Sequence, residues 1–208
     1  MSKTVGGGVA APPARDRELV TQALLDAAER LLISHGYARI STRRLAREAG
    51  VNHGLVHYYF GSMEELFAQV LERFTARLID RQREMYAAEV PFIEKWRMAW
   101  RFHEEDLAAG YPKIFLELQA LAWNKPELRE RLERVNREWR SVLRVAFAHG
   151  RKELGIAAEG PPLDALVALV MMFAQGAQLE RLLGIDDSHA DLLDWIDDWM
   201  QRREGRPR

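Results

Sequence analysis

The sequence predicts an all-α fold in two parts: a three-helix N-terminal head and a larger C-terminal helical body. Three observations carry this. Apolar residues recur at helical spacing through most of the chain, and no stretch alternates with period two for long enough to make a strand. Short helices with cap residues crowd the first sixty positions, whereas prolines mark the starts of longer helices beyond residue 90. All six tryptophans lie after position 95, so the aromatic bulk belongs to the second part.

Taken in order, residues 1–14 read as a flexible arm, with Gly6-Gly7-Gly8 and Pro12-Pro13. Leu24, Ala28, Leu31 and Leu32 repeat along a first helix from Asp16, and Gly36 stops it. Ser41 caps a second helix that runs through Ala49, turns Leu45 and Ala46 inward and ends at Gly50. Asn52 caps a third, over about 53–59. Ser62 opens a fourth, with Glu65 completing an S-x-x-E capping box. Residues 15–61 form the head and 62–208 the body. In the body, Pro91, Pro112, Pro126 and Pro161-Pro162 each sit where a helix begins. They predict helices of about 92–109, 112–123, 126–153 and 162–183. A turn over Asp186 to Ser188 and a last helix of about 189–203 follow, and the Arg-rich end frays.

Composition narrows the function classes. The chain has 208 residues, 48% hydrophobic and 29% charged, the balance of a soluble globular protein. Its longest unbroken apolar run, Ala165 to Ala174, is half of the roughly 20 residues that span a bilayer. No apolar signal segment opens the sequence. Cysteine is absent, which removes disulfides, zinc-thiolate sites and thiol catalysis together. A cytoplasmic protein is expected. Net charge is −1, but residues 1–62 carry eight basic side chains against five acidic ones, leaving the remainder at −4. A basic first third on an acidic body suits a nucleic-acid module.

The segment Ser41 to Phe60, STRRLAREAGVNHGLVHYYF, is the most informative. It holds two helices, each too short to be stable alone, joined by Gly50-Val51. A tight glycine turn between two such helices makes a helix-turn-helix, whose second helix enters the major groove of DNA. Tyr58 and Tyr59 follow, with hydroxyls that can reach phosphates. His53 and His57 have the i, i+4 spacing of two zinc ligands. The Glu of H-E-x-x-H is missing between them and no third ligand lies nearby, so no metal site is expected.

These residues resemble the TetR family of transcriptional regulators. The resemblance rests on Gly36-Tyr37, Ser41-Thr42, Leu45-Ala46, Ala49-Gly50-Val51, Gly54, Tyr58-Tyr59-Phe60, Ser62 and Leu66. It implies an all-helical homodimer with a DNA-binding head and a ligand-binding body. It also implies that Thr42 lies near a phosphate, that Arg43 points toward the groove, with Arg44 and Asn52 beside it, that His53, Gly54, Leu55 and His57 face the bases, and that Tyr58 and Tyr59 face the backbone. The chain departs from the pattern at His57, where Tyr is usual, at Leu55, where Thr is frequent, and at Met63, where Lys is frequent. The first two departures alter base reading. The third removes one ionic contact, for which compensation by the N-terminal arm is the expectation.

In the body, Leu163 to Ala177 is apolar nearly all round, and such a helix has to be buried on every side. One small helical domain covers only part of it, so a second copy is expected against Leu169, Gly176, Leu179 and Leu183. The last helix adds Leu192, Trp195, Ile196 and Trp199 to this four-helix interface. A pocket is expected among aromatics with polar tips: Trp96, Trp100 and His103 on one helix, Phe115 and Trp123 on the next, Trp139 on the long helix, and Met172 and Phe173 on the apolar one. Phe67 and Leu71 reach it from the fourth helix. No cluster of Lys or Arg sits on an apolar face, so a medium-sized, mostly apolar ligand is expected. The partners are then a near-palindromic DNA operator, a small molecule and a second copy, with no cofactor. The function expected is a ligand-released repressor. One alternative is a DNA-binding regulator without an inducer. The other is a helical-bundle enzyme, which the lack of Glu-x-x-His pairs, a Ser/His/Asp arrangement and a phosphate loop argues against.

Overall fold

The computed structural model describes residues 14–158, 160–186 and 188–204, with Ala14 and Arg15 as backbone only. The arm expected over 1–14 and the fraying end fall almost wholly outside them, as does the middle of the Asp186–Ser188 turn. Among the described residues every regular element is helical. The residues cluster into two compact units that divide between Phe67 and Ala68, six residues beyond the boundary read from the sequence and inside one continuous helix.

The first unit holds α1 (Ala14–His35), a 3-10 turn (Tyr37–Arg39), α2 (Thr42–Ala49), α3 (Gly54–Phe60) and the start of α4 (Met63–Ala87). Local chemistry sets each boundary. The Ser41 hydroxyl accepts the Arg44 N–H at 3.3 Å and starts α2. Gly50, at φ 69°, ends it in the left-handed conformation that a Cβ disfavours. There the Val51 N–H reaches the Ala46 carbonyl at 2.9 Å and the Gly50 N–H the Arg47 carbonyl at 3.2 Å, a Schellman closure that sets the angle of the turn. The Asn52 carboxamide accepts the Gly54 N–H at 2.9 Å and opens α3. The Ser62 hydroxyl accepts the Glu65 N–H at 3.0 Å and opens α4. Leu24, Leu32, Leu45, Val56 and Leu66 are fully buried and hold the short helices together.

The second unit continues along α4 and adds α5 (Phe92–Ala108), α6 (Tyr111–Ala122), α7 (Pro126–Glu153), α8 (Leu163–Leu182) and α9 (His189–Glu204). Pro91 and Pro162 sit at N-caps, and Pro112 and Pro126 in first turns, where a missing N–H is harmless. The start of α5 gains a partner from far along the chain, because the Phe92 N–H donates to the Glu153 carboxylate at 2.7 Å. Phe92, Ile93, Trp96, Leu143, Phe147, Val167 and Met200 form the apolar centre. Arg97 grips Asp197 through two N–H donors, both at 2.7 Å, and so fixes α9 against α5.

By length and composition, α8 is apolar enough to cross a bilayer, a test that the core helix of a soluble protein also passes. Its inner face packs on α6 and α7. Its outer face carries Leu169, Met172, Gly176, Leu179 and Leu183, spaced alternately by three and four residues, and all five are exposed.

Candidate DNA-reading face and ligand cavity

On the first unit, α2 and α3 present one continuous polar face. Arg43 and Arg47 are exposed on α2 and border a shallow concavity with Ala46, Val51, Asn52 and His53. From α3, His53, Gly54, His57 and Tyr58 are exposed, while Val56 and Phe60 point into the core. The two guanidiniums therefore stand beside the start of α3 with no apolar residue exposed between them. His57 Nδ1 lies 3.0 Å from the Gly61 carbonyl. A carbonyl only accepts, so Nδ1 donates in this contact and Nε2 is left for an outside partner.

In the second unit, α4 to α8 enclose a cavity of about 160 Å³. Its walls are mostly apolar and include the rings of Phe74, Trp96, Trp100, Tyr111, Phe115 and Trp139. Trp100 stands at the centre, edge-on to Trp96 at 5.6 Å and to His103 at 4.9 Å. Polar groups are few. His103 Nδ1 lies 3.4 Å from Gln178 Nε2, and its Nε2 is buried without a partner. Burial, aided by Arg181 and opposed by Glu104, lowers the His103 pKa and keeps the ring neutral. With the Gln178 amide donating to Nδ1, the unpaired Nε2 carries the hydrogen and is a donor. Gln82 Oε1 is buried and also lacks a partner. Burial pushes the Tyr86 phenol up, so it stays protonated. The carboxylate in the lining, Asp106, is raised by burial but bound by Arg81 at 2.6 Å. Two lining residues thus carry one unmet donor and one unmet acceptor, in mostly apolar surroundings with no unpaired charge.

The comparisons with known proteins agree with this geometry. The family profile described as "Bacterial regulatory proteins, tetR family" matches residues 24–70, which span the whole helix pair. The HTH-type transcriptional repressor Rv3405c of Mycobacterium tuberculosis is 33% identical over 141 residues, 64% of this chain and 69% of its own. The chain belongs to the TetR family. A second relative, the HTH-type transcriptional repressor SCO4008 of Streptomyces coelicolor, is 28% identical over 82% of this chain and 86% of its own. The crystal structure of FadR from Bacillus subtilis in complex with stearoyl-CoA shares the fold with a TM-score of 0.69. It is 17% identical over 90% of this chain and 99% of its own. This TetR-family chain is accordingly a DNA-binding transcriptional regulator of helix-turn-helix type. Regulators of the family bind operator DNA and small molecules and act as dimers.

Against that background, the residues read from the sequence divide. Thr42, Arg43, Asn52, His53, Gly54, Leu55, His57 and Tyr58 gather on the α2–α3 face, with Thr42 and Leu55 half-buried at its edge. Arg44 turns toward α1, with one guanidinium N–H 3.5 Å from the Arg39 carbonyl. Tyr59 corrects the reading. Its hydroxyl is buried without a partner, under the Arg17 guanidinium that lies over its ring, and so it does not face a phosphate.

In the body, Trp96, Trp100, His103, Phe115 and Trp139 line the cavity, and five other candidates do not. Phe67 is spent in the core of the first unit, edge-on to Tyr37 at 5.1 Å. Leu71 is fully buried on α4 and points away from the cavity. Trp123 follows the end of α6 and is 74% exposed. Met172 is 62% exposed on the outer stripe of α8, a helical step of about 100° from the lining residue Met171. Phe173 lies edge-on to Trp100 at 5.4 Å but behind the wall. Sequence reasoning missed the α4 side of the cavity, including Phe74, Leu78, Gln82 and Tyr86. Their i, i+4 spacing is visible in the sequence, but the residues expected to reach the cavity from this helix are Phe67 and Leu71, about one turn or more earlier. Of the expected interface, Leu169, Gly176, Leu179, Leu183, Leu192 and Trp195 are exposed, whereas Ile196 and Trp199 lean on the chain's own core.

Proposed function

We propose that this regulator is a homodimeric repressor, acting in the cytoplasm, that leaves its operator when a small, mostly apolar molecule fills the body cavity. The observation that carries this is α4. The helix begins in the head at Met63, and its later turns supply Phe74, Thr75, Leu78, Gln82 and Tyr86 to the cavity wall. A ligand that prefers one setting of α4 shifts the population of dimers competent for DNA. The two relatives named as repressors support the direction of control. The stearoyl-CoA held by the FadR structure supports a small-molecule signal. In this reading residues 15–61 read DNA and 62–208 bind ligand and dimerise.

Arg43, His53, Gly54, Leu55 and His57 meet base edges, and Thr42 and Tyr58 the phosphates, with half-sites about one helical turn, roughly 34–36 Å, apart. The exposed stripe Leu169, Met172, Gly176, Leu179 and Leu183, with Leu192 and Trp195 from α9, meets its copy across a two-fold axis. Gly176 leaves open space where a Cβ would stand, which lets two helices approach closely. Selection of bound sequences from random duplex DNA tests the reading. The expected product is a near-palindrome, bound by two chains in a salt-dependent way. Failure to enrich any sequence, with the dimer intact, refutes it.

A further inference from the structure

The body cavity shares part of its wall with a second space. Phe115, Asn136 and Gln175 border it from inside and also border an open groove over α6 and α7. That groove is chemically the opposite of the cavity. Arg129, Arg137 and Arg140 line it against the single acid Glu133. Arg137 and Glu133 are only 3.9 Å apart and both well exposed, so the pair leaves most of the guanidinium available. Arg140 Nε donates to Asn136 Oδ1 at 2.8 Å, which holds its planar fork beside the residue shared with the cavity. Trp123 stands at the far edge with its ring in solvent, although a large exposed indole is uncommon outside a contact surface.

We propose that the two spaces form one bipartite site for an amphiphile with a small apolar end and a phosphorylated head. This rests on the reading of the cavity as the ligand site and deepens it. The apolar end is small, because a cavity near 150 Å³ holds about one benzene-sized guest and this one is about 160 Å³. A single ring or a short chain fits the Trp and Phe walls. The head is phosphorylated because three guanidiniums face solvent in one groove, and their forks match phosphate oxygens two at a time. The exposed Trp123 ring gives a flat partner for a base or similar ring on the head. Two sources share this chemistry: an acyl thioester of a nucleotide carrier and a simple phosphate monoester.

Calorimetric titration of the full-length protein decides it, with phenylacetyl-coenzyme A, phenylacetyl-pantetheine and hexyl phosphate as probes. The coenzyme A thioester is expected to bind about tenfold or more tightly than the pantetheine thioester, which lacks the phosphates. The exposed double change Arg129→Gln with Arg137→Gln should erase that difference, leaving the pantetheine affinity and the melting temperature in place. A further loss with Trp123→Ala, for the coenzyme A thioester alone, identifies the nucleotide carrier. Hexyl phosphate that matches the coenzyme A thioester and depends on the same arginines identifies the monoester. Equal affinities for the two thioesters, a preference that survives the double change, or no binding by either phosphorylated probe overturns the proposal. Operator release is measured in parallel. Release by the pantetheine thioester as readily as by the coenzyme A thioester leaves the repressor reading standing without this one. Arginine-dependent binding without release does the reverse.

Discussion

Gly150 sits in the last turn of α7 with ordinary helical geometry, so Gly150→Ala should in isolation stabilise the helix by up to about 1 kcal/mol. The structure reverses that sign. A Cβ at this position meets three ring carbons of Phe92 at 2.5, 2.6 and 2.7 Å, whereas carbon atoms rest at about 3.5–4.0 Å. The ring has to retreat by roughly 1 Å, and it has nowhere to go. Phe92 is 4% exposed, Phe147 stands edge-on to it at 5.3 Å, and its own N–H is tied to Glu153. Overpacking of this kind costs about 1–3 kcal/mol. Set against the helix gain, the net loss is up to about 2 kcal/mol. Urea unfolding at fixed protein concentration reads it, since the stability of a dimer depends on concentration. With a slope of about 2 kcal/mol/M, the midpoint should fall by up to roughly 1 M. A midpoint that rises instead would show that α5 and α7 are not in close contact at Phe92, and the placement of Trp96 in the cavity wall would fall with it.

Arg43→Ala should weaken operator binding by about 1–3 kcal/mol and relax one base position, and an equal loss on random DNA would refute base reading. Tyr58→Phe should weaken every sequence alike. Leu179→Glu places two carboxylates face to face across the proposed seam, at a cost of several kcal/mol, and sedimentation should show monomers. Stability should decline as pH falls below about 6.5, because the unfolded chain takes up a proton that buried His103 resists. His103→Leu should flatten that part of the profile, and an unchanged slope refutes the buried neutral ring.

The head was readable because its signals are local. Ser41, Gly50, Asn52 and Ser62 act on amides within four residues of themselves, so the sequence carries both the cap and its target. Prolines fixed the starts of α5 to α8 for the same reason. The cavity was only half readable. Five helices contribute to it, and which of two neighbours faces inward depends on a rotation that no single helix records. Met171 lines the wall and Met172 does not. Tyr58 and Tyr59 look alike in sequence, yet packing against α1 sends one hydroxyl to solvent and buries the other. The sequence shows no cluster of Lys or Arg on an apolar face, and only folding lines up Arg129, Arg137 and Arg140 along one groove. The partner that caps α5, Glu153, lies 61 positions from Phe92, beyond the reach of any local pattern.

The unmet hydrogen-bonding atoms of His103 and Gln82 have a consequence for how sharply the regulator tells chemicals apart. An apolar wall alone separates homologues differing by one methylene by only about 10- to 200-fold. A buried donor and a buried acceptor set a different standard, because a guest lacking the matching atoms leaves both desolvated and unsatisfied. Sites built in this way reject such analogues by about 10⁴-fold or more. If the proposed ligand enters here, oily metabolites are filtered by polarity before they are filtered by shape. Exchange of these two side chains for leucine would turn a selective sensor into a permissive one without moving the backbone.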